Sequence, residues 1–176
     1  MPIDNNSWYF HWHIGISANE IIILTMTKKD FITKYLPLAQ KAGEAFRINP
    51  VVILAQAAIE TGWAQSDLCL LHHNFFGITA YGKKNVWWTG TSVQLSTNSL
   101  SFRTYPDPLH SFMDYARLIR HAYTDAADVS YQPAAFALKI GYSKYISEVN
   151  GDNREAYRRM LVSISRTIEK LIGSSL

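Results

Sequence analysis

The chain of 176 residues has very few of the residues that build disulfides, metal centres or membrane spans. Its single cysteine, Cys69, excludes an internal disulfide, and no CxxC or Cys/His spacing indicates zinc. Leucine neighbours predict that this thiol packs as a small hydrophobic side chain. The first twenty residues lack the basic segment of a secretory signal, and the apolar run 21–24 is too short to cross a membrane. We therefore expect no membrane span, and the sequence indicates no export route.

Strong charge of one sign is also absent. Charged residues make up 18% of the chain, and the net charge is +3. No dense Lys/Arg stripe indicates nucleic acid, although a mildly basic protein suits an anionic polymer. The hydrophobic content of 48% and the aromatic content of 13% exclude a disordered chain. The many rings fit either a groove lined by aromatic side chains or a large aromatic core.

The six histidines do not form a convincing ligand set. His11 and His13 flank a tryptophan without a third ligand nearby, and the adjacent His72 and His73 cannot easily face one ion. We predict that the protein needs no metal and no other cofactor.

Helical signals dominate the pattern. Thr27, followed by an acidic residue three positions later, predicts a helix start, and Pro37 is expected to kink or interrupt that helix. Asn49 and Pro50 predict the start of a second helix, which runs to about Glu60. Gly62 is then placed to end it.

The second half of the chain adds a small β element and three further helices. Period-two alternation around 93–102 predicts two short strands joined near residues 98–99. Helices are predicted at 111–123, 133–140 and 153–172, and Tyr157 and Leu161 lie on the inner face of the last one. The prediction is a mainly α fold with a small β-hairpin lobe. Residues 1–26 are an N-terminal extension of uncertain order, and residues 27–176 form a single domain.

Glu60 is the least expected residue of this pattern, because a carboxylate ends an otherwise apolar helix. A buried carboxylate is costly unless it is paired, hydrogen-bonded or protonated. Gln56 lies four residues earlier, so the two side chains share one helix face. That face either lines a cleft or is simply the exposed end of a helix.

Four phrases in order carry a resemblance to a known family: AQAAIETGWAQS, HHNFFGITA, WWTG and SFRTYPDPLHSFMDYARLI. They resemble the phrases AQAALESGWG and NLFGIK, the tryptophan-glycine step and the FRxYxxxxxSFxDY phrase of the glucosaminidase domain of glycoside hydrolase family 73. The resemblance covers roughly residues 30–172.

The resemblance implies a lysozyme-like fold in which an α lobe and a β lobe flank a groove. It implies hydrolysis of β-1,4 bonds in the glycan strand of peptidoglycan, typically after N-acetylglucosamine, with Glu60 as the general acid. A monomer acting in the periplasm, outside the cell or on the cell wall is expected. Tyr142, in a GYS phrase similar to GYAT, is expected to face the cleaved sugar as a second catalytic group. The expected substrate-binding residues are Gln56, Trp63, Asn74, Phe76, Gly77 and Trp88.

One departure from the family concerns the second carboxylate. Inverting glycosidases place it roughly 6.5–9.5 Å from the acid and retaining ones about 5 Å away, but residues 68–106 contain no Asp or Glu. Asp107 or Asp114 could serve, although structural roles are favoured for both. Arg103 could pair with the groove or with Asp107, and a structural pairing is favoured. Alternatively, the N-acetyl group of the substrate could act with help from Tyr142. A muramidase, a lytic transglycosylase with one carboxylate, or a weakly active wall-binding module therefore remain alternatives.

Overall fold

The computed structural model describes residues 26–97, 99–146 and 152–174. The predicted mainly α architecture with a small β lobe is confirmed, and two short helices, α3 and α5, were not predicted. The His11–His13 segment and the predicted N-terminal extension lie almost wholly outside the described residues. The elements are α1 (Lys28–Phe46), α2 (Pro50–Thr61), α3 (Asp67–His72), β1 (Ser92–Gln94), β2 (Ser101–Arg103), α4 (Pro108–Ala122), α5 (Thr124–Asp128), α6 (Pro133–Gly141) and α7 (Asp152–Gly173).

The predicted helix starts are present with their capping hydrogen bonds. Thr27 and Asp30 form a reciprocal capping box at α1. Asn49 accepts a hydrogen bond of 2.9 Å from the Val51 amide at the start of α2. Gly62 ends α2 in a left-handed conformation (φ 58°), as expected of a helix C-cap.

Helix α1 continues through Pro37, so the predicted interruption at this residue does not occur. A proline in a helix removes the hydrogen bond to the carbonyl four residues earlier, here that of Thr33. Both Pro37 and Thr33 are exposed, so water can hydrate that carbonyl, and the proline is tolerated.

Helix α2 forms the centre of the core. Every residue from Val52 to Ala58 is at most 1% exposed, because α1, α6 and α7 pack around this helix. Cys69, on α3, is likewise 1% exposed and packs as predicted. In the described part of the chain, no helix is both long and apolar enough to cross a membrane.

The β lobe is an antiparallel hairpin in which Val93 lies opposite Phe102. Its strands are shorter than the alternating pattern predicted, and Thr79 forms an additional bridge to Phe102. Arg103 joins this lobe to α4 through an ion pair of 2.6 Å between its Nη1 and Asp114 Oδ2. The pairing of Arg103 is therefore structural, as favoured from the sequence, but its partner is Asp114 and not Asp107.

Candidate active site

Glu60 lies in the last turn of α2, where the backbone reverses its handedness. Gly62, Trp63 and Ala64 have φ angles of 58°, 64° and 63°. Two of these three residues carry side chains, which makes the left-handed conformation unfavourable. The hydroxyl of Thr61 holds the turn, because it donates to the Ala57 carbonyl at 2.6 Å and accepts from the Ala64 amide at 2.8 Å. The end of α2 that carries Glu60 is thus fixed by local hydrogen bonds.

The Glu60 carboxyl is surrounded by protein that offers it no compensating charge. The residue keeps some exposed surface, yet burial raises its pKa from 4.5 to about 8. No ion pair or hydrogen bond joins the carboxyl to any other described residue. Desolvation disfavours the charged form of an acid, so Glu60 is protonated at neutral pH. A protonated, partly accessible carboxyl can donate a proton to a bound molecule.

Gly77 approaches this carboxyl from the turn after α3. A Cβ built on Gly77 would lie 3.7 Å from Glu60 Oε2, and the φ angle of 61° at this position suits glycine. Asn74 fixes the turn: its Nδ2 donates to the carbonyls of Ile78 and Arg103, each at 2.9 Å, and its Oδ1 accepts from the Phe76 and Ile78 amides. The turn therefore presents bare backbone beside the acid.

Three tyrosines on other elements interact electrostatically with Glu60: Tyr115 on α4, Tyr157 on α7, and Tyr145 after α6. Burial raises the pKa of each well above its ordinary value, and the negative charge of Glu60 adds to the rise in all three. Tyr157 accepts a hydrogen bond of 2.8 Å from Gln56 Nε2. Helical periodicity placed Tyr157 only on the inner face of the last helix, and no sequence signal indicated its position beside the acid.

Four of the predicted substrate-binding residues are buried, and their contacts in the structure are with other protein groups. Gln56 has no exposed surface and binds Tyr157. Phe76 stacks on Tyr115 with ring centroids 3.9 Å apart. Trp88 donates to the Thr91 carbonyl and packs under the Arg103 guanidinium. The four are Gln56, Asn74, Phe76 and Trp88, with exposures of 0, 1, 3 and 4%, and their contact with substrate stays a prediction.

Trp63 is half-buried beside the acid. Its ring packs edge-on against Phe31 at 5.3 Å, and the Lys28 ammonium lies 5.2 Å from its centroid. Part of the ring is exposed, and its predicted contact with substrate stays a prediction.

Tyr142 directly follows α6. It is 55% exposed, and its hydroxyl lies 3.4 Å from Glu155 Oε2. The catalytic role predicted for Tyr142 stays a prediction.

The two aspartates considered as a second carboxylate have structural partners. Asp107 caps α4 and accepts from the His110 amide and ring at 3.0 and 2.9 Å. Burial opposes ionisation of Asp107, but these hydrogen bonds hold its pKa below the usual value. Asp114 has no exposed surface and accepts hydrogen bonds from Arg103, Tyr105, Arg117 and Asn85. The structural role predicted for Asp114 is confirmed.

Within residues 26–97, 99–146 and 152–174, no group of three His, Cys, Asp or Glu side chains could hold a metal ion.

Comparison with known proteins agrees with this arrangement. The peptidoglycan hydrolase FlgJ of Pseudomonas aeruginosa is 29% identical over 156 residues, which cover 80% of this chain and 36% of that protein. The peptidoglycan hydrolase from Sphingomonas sp. A1 superimposes with a TM-score of 0.65 at 25% identity, covering 84% of this chain and 95% of that one. The glycoside hydrolase domain of Salmonella typhimurium FlgJ shares the fold, with a TM-score of 0.64 at 24% identity over 85% and 93% of the two chains.

The chain spans about a third of the length of the curated relatives it matches first. The family model described as mannosyl-glycoprotein endo-β-N-acetylglucosaminidase matches residues 36–170, which is most of the chain. On this match, together with the helical fold and the acid at the end of α2, the chain belongs to the glucosaminidase family.

Proposed function

We propose that this protein hydrolyses β-1,4 glycosidic bonds in the glycan strand of bacterial peptidoglycan, after N-acetylglucosamine, with Glu60 as the general acid. The observation that carries the proposal is a partly accessible carboxyl at the end of α2, with Gly77 beside its Oε2, in a chain of the glucosaminidase family. The protein would act as a monomer in the periplasm or on the cell wall, where this polymer lies.

The chemistry requires a proton donor because the oxygen of a glycosidic bond is a poor leaving group. A carboxylic acid that stays protonated near neutral pH can deliver the proton as the bond breaks. Glu60 holds its proton up to about pH 8 because it is desolvated. Gly77 places no side chain beside Oε2, which leaves room on that side of the carboxyl for the oxygen of a bound sugar.

The second catalytic function does not require a second carboxylate. Asp114 is enclosed by its hydrogen-bond donors and Asp107 caps a helix, so neither is free to activate water. The N-acetyl group of the substrate is a nucleophile that the sugar itself supplies. We assign assistance of that group to the Tyr157 and Tyr145 phenols, which face Glu60, in place of Tyr142.

The test is mass spectrometry of purified peptidoglycan after digestion, with the Glu60→Gln variant as the blank. The proposed bond specificity yields fragments with reducing N-acetylglucosamine ends. Reducing muramic ends would indicate a muramidase, and anhydro-muramic ends a lytic transglycosylase. No soluble product, together with retained binding to the wall, would indicate a binding module and would refute hydrolysis.

The pH profile is an independent test. If Glu60 donates the proton, kcat/KM falls as the pH rises through about 8, because the free enzyme then loses that proton. A profile that declines above pH 5 would contradict the assignment, because it would report a carboxyl with an ordinary pKa.

A further inference from the structure

The outer face of α7 carries a row of three basic residues, Arg159, Arg166 and Lys170. They are seven and four residues apart, and this spacing brings them onto one side of a helix with 3.6 residues per turn. All three residues are exposed, and the side chain of Arg159 keeps 68% of its surface. Because a helix rises about 1.5 Å per residue, this basic row extends over roughly 16 Å.

The basic row lies on the side of α7 that is turned away from the acid. Tyr157, Leu161 and Ile168 are buried in the core on the opposite side of the helix. On that inner side, the Tyr157 hydroxyl accepts a hydrogen bond of 2.8 Å from Gln56 of α2, the helix that carries Glu60. A ligand bound to the basic row is therefore separated from α2 by the thickness of α7. The row is a surface distinct from the candidate active site.

The stability of α7 alone does not explain the basic row. In the described part of the chain, no ion pair joins Arg166 or Lys170 to an acidic residue. Arg159 lies 3.8 Å from Glu155, but Arg158 holds that carboxylate more closely, at 2.6 and 2.8 Å. Like charges four residues apart, such as Arg166 and Lys170, disfavour a helix. The helix dipole favours cations only near the last turn, which contains Lys170 but neither arginine.

The basic row also accounts for the net charge of the chain. The net charge is +3, and apart from these three residues the chain has as many basic as acidic residues, fourteen of each. The surface between the three side chains is a depression of about 460 Å³, to which Ser163 also contributes. An arginine can bind a carboxylate through two parallel hydrogen bonds, and a serine hydroxyl is a further donor. The depression therefore suits an extended molecule that carries carboxylates.

We propose that the basic row is a second binding site, which binds the carboxylates of the peptides attached to the glycan strands of peptidoglycan. The inference rests on the proposed function, which supplies the polymer. Because this polymer is a network, a protein that holds one glycan strand beside Glu60 is surrounded by the peptides of other strands. The basic row retains the protein on the wall and takes no part in the cleavage of the bond.

The test measures binding to purified walls by co-sedimentation, with Glu60→Gln as the parent protein so that no hydrolysis occurs. Hydrofluoric acid first removes phosphodiester polymers from the walls. The row variant adds three neutralising substitutions, Arg159→Gln/Arg166→Gln/Lys170→Gln. The matched control removes the same charge from three exposed lysines of α1 and α6, and it is Lys29→Gln/Lys41→Gln/Lys139→Gln. Circular dichroism checks that both variants are folded.

We expect the row variant to bind walls about tenfold more weakly than the parent at low salt, as for the loss of three exposed charge contacts. The control should bind like the parent. In about 1 M salt, where the screening length is about 3 Å, the row variant and the parent should bind equally. They should also bind equally to walls whose carboxylates have been converted to amides. If the row variant does not fold, Arg166→Gln alone should weaken binding about twofold.

Hydrolysis gives a second readout in proteins that keep Glu60. The row variant should have a KM for whole walls about tenfold above that of the wild type, whereas turnover of short soluble glycan fragments should be unchanged. Equal weakening by the row variant and the control would overturn the inference, because net charge alone would then explain binding.

Two further outcomes would assign the basic row to another ligand and so overturn the inference. One is a loss of binding that persists on the amidated walls. The other is a loss that appears only on walls that keep their phosphodiester polymers. Absence of hydrolysis by the wild type would refute the proposed function, whereas the binding measurements, made without turnover, would still decide this inference.

Discussion

Glu60 and Asp114 are both withdrawn from solvent, but their surroundings are opposite. Asp114 is fully buried and receives hydrogen bonds from two arginines, a tyrosine and an asparagine. Glu60 receives none from the described residues, and burial alone acts on its pKa. A carboxylate with so many donors holds the β lobe on α4. A carboxyl without donors stays protonated and is available for chemistry, so the two sites show how partners separate a structural acid from a reactive one.

The largest effect is expected on activity at Glu60. Glu60→Gln should lower the rate of wall hydrolysis by about 10² to 10⁴, the usual contribution of a general acid, while circular dichroism remains that of the wild type. Glu44→Gln, at an exposed position of α1, is the control and should be fully active. Near-normal hydrolysis of cell walls by a folded Glu60→Gln protein would contradict the role of Glu60 as the general acid.

The next effect is on stability at Asp114. Asp114→Asn keeps the shape but leaves the guanidinium of Arg103, which is 6% exposed, without its counter-ion. Breaking a buried pair in this way should lower the free energy of unfolding by about 3–5 kcal/mol, measured by urea titration at pH 7. Activity per folded molecule should stay close to that of the wild type. A stable but inactive Asp114→Asn protein would instead assign Asp114 to catalysis.

Glu60→Gln is expected to raise the free energy of unfolding, whereas Asp114→Asn lowers it. The folded protein keeps the Glu60 proton up to about pH 8, whereas the unfolded chain loses it near pH 4.5. The unfolded state therefore binds fewer protons between these values, and stability falls as the pH rises, by about 1.4 kcal/mol per pH unit from this group. Glu60→Gln lacks this loss and should be more stable than the wild type by roughly 3 kcal/mol at pH 7. Parallel unfolding free energies of the two proteins from pH 5 to 8 would contradict the desolvated acid.

The smallest effect is expected from the exposed tyrosine. Tyr142→Phe should change turnover by less than about twofold, as for an ordinary surface substitution, because the hydroxyl faces Glu155. Tyr157→Phe, at a residue facing Glu60, should reduce turnover at least tenfold on the scale of one lost hydrogen bond. Steady-state kinetics on solubilised glycan strands compares the two. A larger loss of turnover for Tyr142→Phe than for Tyr157→Phe would instead assign a catalytic role to Tyr142.

The sequence predicts much of this fold because its signals are local. Capping residues such as Thr27 and Asn49 act within one helical turn, and the alternation around Val93 indicates a strand without reference to the rest of the chain. Pro37 shows the limit of such signals: its effect depends on whether the carbonyl it leaves unpaired can reach water. That exposure is a property of the packed molecule.

The site was predictable only in part, for the same reason. Glu60 and Gly77 lie in family phrases, and the structure brings them together. The depth of Gln56 and Trp88 follows from how α7 and the β lobe cover them, which no pattern of four or five residues records. The tyrosines beside the acid come from three distant elements, and their meeting is set by tertiary packing.

The contact between Gly77 and Glu60 also bears on how such a protein can diverge. A side chain at position 77 would have to adopt a φ of 61° and place its Cβ 3.7 Å from Oε2. Any longer side chain would occupy the space beside the acid, while the helical core around α2 would be untouched. A single substitution at Gly77 would thus abolish hydrolysis and leave glycan binding intact. A hydrolase of the wall glycan and a lectin for the same polymer would then differ by one codon.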